Sequence, residues 1–492
     1  AEPAPPDCPL SVHAAGPRQR LGPWPAAIAA GGAAGLILVA GSPYSTLLAG
    51  FVVAGLMAVA LGFLAWRTDP AWLMTGALIA SSFNGNWAEL GVPGGIAPDR
   101  LLLLAAIGGL LLRSPAARDR PRFRPHAVHG LLALTLLWAI GSAIGAGTLS
   151  RSETIFFIFD RLAVPFAVFA LAPLTFRTAR HRNGFLAGLV GFGAYLGLTA
   201  LFETVGPDAL VLPGFINDVG FQTDRAQGPF LEATVNGVAL YTCCVAAAIA
   251  VATWRGRPRL FAAAGLLCCA PGLLFTLTRS VWIASVAATL LTFALVPRIR
   301  SLLVPVAVGA AALVLLLLAL FPKLDTSVSE RSGNRLTVWE RQYVNAAAVE
   351  MVHERPLVGF GLGTFNDRNA EYFPLLEEVP QVVTVPTTQI DIHNVFLLFA
   401  VEQGMIGAAL LVASLIAVVA TALIARGPPE LVPWRIGLFA IAVYWIVAAN
   451  FAPLGQVLPN LIVWLWAGIV LGGTAGWAEP VRGPQPARAE GS

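Results

Sequence analysis

The chain has 492 residues, of which 57% are hydrophobic and only 12% charged. Soluble domains carry about 25% charged residues, so a soluble globular protein is excluded. The formal net charge of +4 is carried mostly by arginines in short loops, where they set membrane orientation rather than bind nucleic acid.

Taken in order, the first twenty residues are rich in Pro and Ala and lack the basic start and cleavage pattern of a signal peptide. They are expected to form a disordered tail (1–20). Apolar runs then predict membrane spans at about 24–41, 45–66, 71–83, 100–113, 127–147, 155–176, 184–205, 229–253, 260–277, 281–297 and 301–321, and after a long polar interval at 405–425, 436–450 and 458–476. The fold class is therefore an all-α polytopic membrane protein with about twelve to fourteen transmembrane helices, because 71–83 and 100–113 are short enough to be tilted, broken or re-entrant. The bundle is expected over 21–321 and 405–476, one large periplasmic helical loop region over 322–404, and a cytoplasmic tail over 477–492.

Orientation follows from the loops. Arg18/Arg20, Arg67, Arg113–Arg124, Arg177–Arg182, Arg255–Arg259, Arg298/Arg300, Arg426/Arg435 and Arg482/Arg488 all fall on one side when the spans alternate. The positive-inside rule makes that side the cytoplasm. The opposite side receives 84–99, 206–228, the link 278–280 and the region 322–404. These carry Arg225, Arg279, Arg331, Arg335, Arg341, Arg355, Arg368 and His393, and arginines that violate the orientation bias need a reason. A substrate with several negative charges is one.

Within that region Leu336–Val352 reads as an amphipathic helix, and "GFGLG" ends it as a turn against the membrane. Residues 366–390, with Pro374, Pro380 and Pro386, read as irregular. Asn394 to about Gln403 reads as a short helix lying on or entering the membrane, closed by Gly404 as its C-terminal cap.

His393 can take a proton from an attacking hydroxyl; the plainer reading is an interfacial histidine that only hydrogen-bonds. Asp391, two residues earlier, is placed to orient the ring if the piece is extended. Arg279 in "TLTRSVWIA" and Arg225 in "DRAQGPFLEATVNG" sit at span ends, where a guanidinium either grips a lipid phosphate bidentately or snorkels to headgroups. Of Arg331, Arg335 and Arg341, one or two are expected to reach substrate and the rest to pair with Glu330, Glu340 or Glu350. Asp160 and Arg161, inside a span, face about 100° apart and read as structural. The adjacent pairs Cys243/Cys244 and Cys268/Cys269 read as packing residues, since no His, Asp or Glu completes a metal-ligand set.

In this order, "RAQGPF" (225–230) with Asn236, "TLTRSVW" (276–282), "SGNRLTVW" (332–339), "PLVGFGLGTF" (356–365) and "HNVFLLFAVEQGMIG" (393–407) resemble the bacterial O-antigen ligase and O-antigen polymerase family. The resemblance covers about 220–410; the N-terminal half is similar only in its many spans. It implies an inverting, metal-independent glycan transferase resembling the C-type membrane glycosyltransferases, in the bacterial inner membrane, with its active site on the periplasmic side and no cofactor. The donor it implies is a glycan on undecaprenyl pyrophosphate. Lipid A-core or a second lipid-linked glycan would be the acceptor, with membrane lipids the only other partner and no nucleic acid. At matching motif positions Arg225, Arg279 and Arg335 would bind pyrophosphate and His393 would be catalytic, with Arg331, Arg341, Asp391 and Asn394 in supporting positions. Ligation, repeat-unit polymerisation and transfer to protein share these motifs. A lipid-linked glycan transporter is the competing class, but it predicts charges deep in many spans, and the sequence offers mainly Asp160, Arg161 and Glu203 there.

Overall fold

The computed structural model describes residues 45–92, 97–112, 123–218, 225–321, 336–372, 392–474 and 477. The chain divides into two compact units, Ala1–Leu64 and Ala65–Ser492. In the first, the described residues form the start of helix α1 (Ser45–Arg67), which continues past the division and closes on Arg67. The span expected at 24–41 lies outside the described residues.

The second unit is built from α2 (Pro70–Ala80), α3 (Pro98–Leu112), α4 (Ala127–Ala146), α5 (Ser152–Thr175), α6 (Ala179–Val205), α7 (Ala233–Thr253), α8 (Arg257–Phe275), α9 (Arg279–Leu295), α10 (Leu303–Leu320), α11 (Leu336–Glu354), α12 (Val395–Ile424), α13 (Val432–Ala449) and α14 (Val457–Gly472). Among the described residues there is no strand. Among the described residues, eight helices are long and apolar enough to cross a membrane: α4, α5, α6, α7, α8, α10, α12 and α13. The shorter apolar helices are Met57–Arg67, Pro70–Phe83, α9 and α14. The protein is an all-α polytopic membrane protein, as its apolar runs require, because in lipid each span must satisfy its own backbone hydrogen bonds.

Contacts between helix termini gather at two ends of the second unit. At one end Asp69 accepts from the Ala71 amide and caps α2 behind Pro70, and His181 lies 3.2 Å from the Asp69 carboxylate. Arginines in the first turns of α6 and α13 at this end also cap the preceding helices: Arg182 donates to the carbonyls of Phe176 and Arg177 beyond α5, and Arg435 donates to the Ala425 carbonyl beyond α12. Cations at these positions complement the negative end of the helix dipole. The other end holds the segments around 225, 278, 360, 393 and 450, described below.

Small residues let the spans approach. A Cβ on Gly197 of α6 would stand 2.0 Å from the Cys268 carbonyl oxygen of α8, so the two backbones meet there directly. Cys243 and Cys269 are buried at this interface, and Cys244 Sγ lies 3.1 Å from Cys269 Sγ. Among the described residues no group of His, Cys, Asp or Glu is arranged to hold a metal ion.

Candidate functional site

The segment 225–230 is fixed from four directions. The Ala226 amide donates to the Phe275 carbonyl at the end of α8 (3.0 Å), and the Asn236 amide group of α7 donates to the Ala226 carbonyl (3.0 Å). Glu203 of α6 accepts from the backbone N–H groups of Gln227 (3.2 Å) and Gly228 (3.1 Å). Asn86 donates to the Pro229 carbonyl (3.1 Å). Gly228 is required twice over: its φ is +56°, and a Cβ would meet the Asn236 side chain at 2.9 Å.

Arg225 opens this segment, half-buried. Arg279 is the first residue of α9, also half-buried, after a link in which Leu277 takes a positive φ of 44°. Ala226, Phe275 and Leu277 share one buried cluster with Leu317 of α10. The two arginines therefore leave the same corner of the bundle, fifty-odd residues apart in sequence but separated by one backbone hydrogen bond between their segments.

The "PLVGFGLGTF" motif docks on a break in α12. At Gly404 the backbone turns to φ 69°, ψ 179°, which frees hydrogen-bonding groups on both sides of the break. The motif takes them up. Phe360 and Gly361 donate to the carbonyls of Val401 (3.0 Å) and Glu402 (2.7 Å), and Met405 and Ile406 donate to the carbonyls of Pro356 (2.8 Å) and Leu357 (3.3 Å). The buried Glu402 carboxylate accepts from the Phe365 amide (3.3 Å). From α4, the Ser142 hydroxyl accepts from the Leu362 amide (3.0 Å) and Trp138 donates to the Gln403 carbonyl (3.1 Å); Thr148, just beyond that helix, donates to the Leu362 carbonyl (2.6 Å). Arg151 and Asp367 pair at 2.6 Å on the exposed rim.

His393 stands at the start of α12. Ile392 before it is buried in a cluster with Val344, Ala347, Ala348 and Met351 of α11. Asn394 after it is the N-cap: its oxygen accepts from the Leu397 amide (3.0 Å), and its amide group donates to Asn450 at the end of α13 (3.3 Å). The histidine is thus held between α11 and α13. The link to the arginine corner runs through packed helices. A Cβ on Gly237 of α7 would lie 2.4 Å from Val281, two residues past Arg279, and 3.0 Å from the hydroxyl of Tyr444, six residues before Asn450.

Residues 264–412 match the family model described as O-antigen ligase. This segment is similar to the O-antigen ligase family. No curated protein matches the chain.

The matched segment contains α9, α10, α11 and the first half of α12, and so carries Arg279, Arg341, His393, Asn394 and the docked glycine motif. Arg331, Arg335 and Asp391 also belong to it but lie outside the described residues. Arg225, Asn236 and Glu203 precede it, and the backbone bond from Ala226 to Phe275 joins their loop to the family segment. Arg341 is half-buried on α11, the helix that packs against Ile392.

Asp160 and Arg161, which read as structural from the sequence, each have a specific partner that the sequence does not name. Asp160 lies in a five-residue π-helical stretch of α5, Phe159–Ala163, and pairs with Arg100 of α3 at 2.7 Å. Its neighbour Arg161 turns elsewhere, donating to the Pro453 carbonyl (3.1 Å) and lying 4.5 Å over the Phe157 ring, which itself packs on Phe399 of α12. Arg161 therefore ties α5 to the turn that follows Asn450. Residues 366–372, expected to be irregular, instead form short helical turns, Phe365–Arg368 and Asn369–Glu371, on the floor made by Glu402.

Proposed function

We propose that the chain transfers a glycan from undecaprenyl pyrophosphate to an acceptor hydroxyl on the extracytoplasmic face of the inner membrane. The acceptor oxygen attacks the sugar C1, the bond from C1 to the pyrophosphate oxygen breaks with inversion, and the hydroxyl proton passes to His393. Arg225, Arg279 and Arg335 take the charge of the departing pyrophosphate, and fixed guanidinium groups can do so through bidentate contacts. The observation that carries this reading is the hydrogen bond from Ala226 to Phe275, which gathers Arg225 and Arg279 at one corner on the same end of the bundle as His393.

O-antigen ligation to lipid A-core and repeat-unit polymerisation use the same donor end and differ in the acceptor. Reconstituted protein given a lipid-linked glycan with each acceptor separates them by the product formed. Replacing Arg225 or Arg279 by Ala should raise the donor KM by roughly tenfold or more, since a charge-assisted phosphate contact contributes about 1.5–3 kcal/mol. Lys should restore only part of it, because it lacks the planar fork. Unchanged donor use in both Ala variants returns these arginines to contacts with ordinary lipid headgroups.

A further inference from the structure

The segment between α2 and α3 lies directly against the arginine corner, yet it stands outside the family segment and has no part in the chemistry above. It reads Phe83-Asn84-Gly85-Asn86-Trp87-Ala88-Glu89-Leu90, and its backbone is closed on itself: Asn86 donates to Phe83 (2.9 Å), Leu90 and Val92 both donate to the Trp87 carbonyl (3.1 and 3.0 Å), and Gly91 caps it in the left-handed region. Trp87 is held by its indole N–H, which donates to the buried Asp99 (3.2 Å), and by Phe83, whose ring lies 5.6 Å away at 45°. Asn84, Asn86 and Trp87 remain partly accessible, and Glu89 is exposed.

We infer that this segment is a subsite for the glycan of the donor, an inference that rests on the donor reading given above. Sugar rings are recognised by two kinds of group, and both are present. The electron-rich face of an indole attracts the polarised C–H groups of a pyranose. The planar amide of an asparagine offers two donors and an acceptor to adjacent hydroxyls. Both are mounted here on a loop whose shape is set before any ligand arrives, so little ordering is lost on binding. The location fits as well. Asn86 touches Pro229, four residues from Arg225, so this loop lies beside the segment that would hold the pyrophosphate. Glu89 on the exposed rim adds an acceptor and disfavours an acidic sugar there.

Asn84→Ala and Trp87→Ala test this in the full-length reconstituted protein. Asn86 is left intact because it also holds the Pro229 carbonyl. Two quantities are read: the KM for glycan-bearing donor, and the inhibition constant of bare undecaprenyl pyrophosphate as a competitor. The KM should rise roughly five- to tenfold in each variant, the scale of one or two lost polar or stacking contacts. The inhibition constant and kcat should stay at the wild-type values, and Trp87→Phe should recover most of the KM because it keeps an aromatic face. An unchanged KM in both Ala variants overturns the subsite. So does a KM that rises only in step with the inhibition constant, which would place the loss at the pyrophosphate corner. If bare undecaprenyl pyrophosphate does not compete in the wild type, the donor reading itself falls and the subsite falls with it.

Discussion

Gly404 stands in the side-chain space of Gly359, and the Leu357 carbonyl, two residues before Gly359, stands in that of Gly404. A Cβ on Gly359 would lie 2.5 Å from the Gly404 amide nitrogen, and a Cβ on Gly404 would lie 2.0 Å from the Leu357 carbonyl oxygen. Both have φ near +70°, so the break in α12 and the turn that fills it need glycine on each side. Through this contact the glycine motif at 356–365 fixes where the short helix from Val395 to Gln403 leaves the membrane span, and hence where His393 sits at its start.

Gly359→Ala or Gly404→Ala should therefore destabilise the protein by about 2–4 kcal/mol, combining left-handed strain with overpacking against backbone. Thermal unfolding in detergent checks this against Gly309→Ala on α10, where an added Cβ meets nothing within 4 Å. Equal midpoints for all three variants would mean that the break adapts freely.

Asp160 and Arg100 should be energetically coupled. Their side chains keep 12% and 28% of their exposure, so the pair is partly shielded from water and removing one partner strands the other. A double-mutant cycle with Asp160→Asn and Arg100→Gln should give a coupling of about 1–2 kcal/mol in unfolding free energy. Additive single effects would show that the two charges are solvated separately.

The arginine distribution predicts sidedness. Asn366, exposed beside the Arg151–Asp367 pair, and Arg259, exposed at the start of α8, should be labelled from opposite sides of the membrane when each is replaced by Cys in a cysteine-free background. Labelling of both from one side contradicts the orientation proposed for the site.

Much of this arrangement was legible because it is local. The apolar runs mark the spans, Asn394 reads as the start of a helix, and Gly404 reads as its C-terminal cap, the position at which α12 breaks. Each depends on residues within a turn or two of one another. The interactions that assemble the corner are not local. Nothing in "RAQGPF" says that Glu203 will accept its backbone N–H groups, or that Asn86 will reach Pro229 from more than a hundred residues away. An acid near the end of an apolar run, such as Glu203 or Glu402, is a sign that a buried partner exists, but backbone N–H groups are the same in every residue and leave no trace of which segment supplies them. The division of labour between Asp160 and Arg161 was legible only in part. Their 100° separation on a helix follows from the sequence; that one turns to Arg100 of α3 and the other to Pro453, in the turn between α13 and α14, is decided by tertiary packing.

The proposal that His393 accepts the acceptor proton is tested most directly by His393→Gln. Gln keeps a hydrogen-bonding side chain but cannot take up a proton at neutral pH, and it leaves the Asn394 cap and the buried Ile392 untouched. Loss of a general base lowers rate by about 10²–10⁴. The account predicts that His393→Gln loses transfer on that scale, nearly as fully as His393→Ala, while donor binding and thermal unfolding match the wild type. It also predicts that the wild-type rate falls on acidification as the imidazole is protonated. A folded His393→Gln protein that binds donor and turns over within a few-fold of the wild-type rate would contradict it, and would make His393 a residue that positions the acceptor.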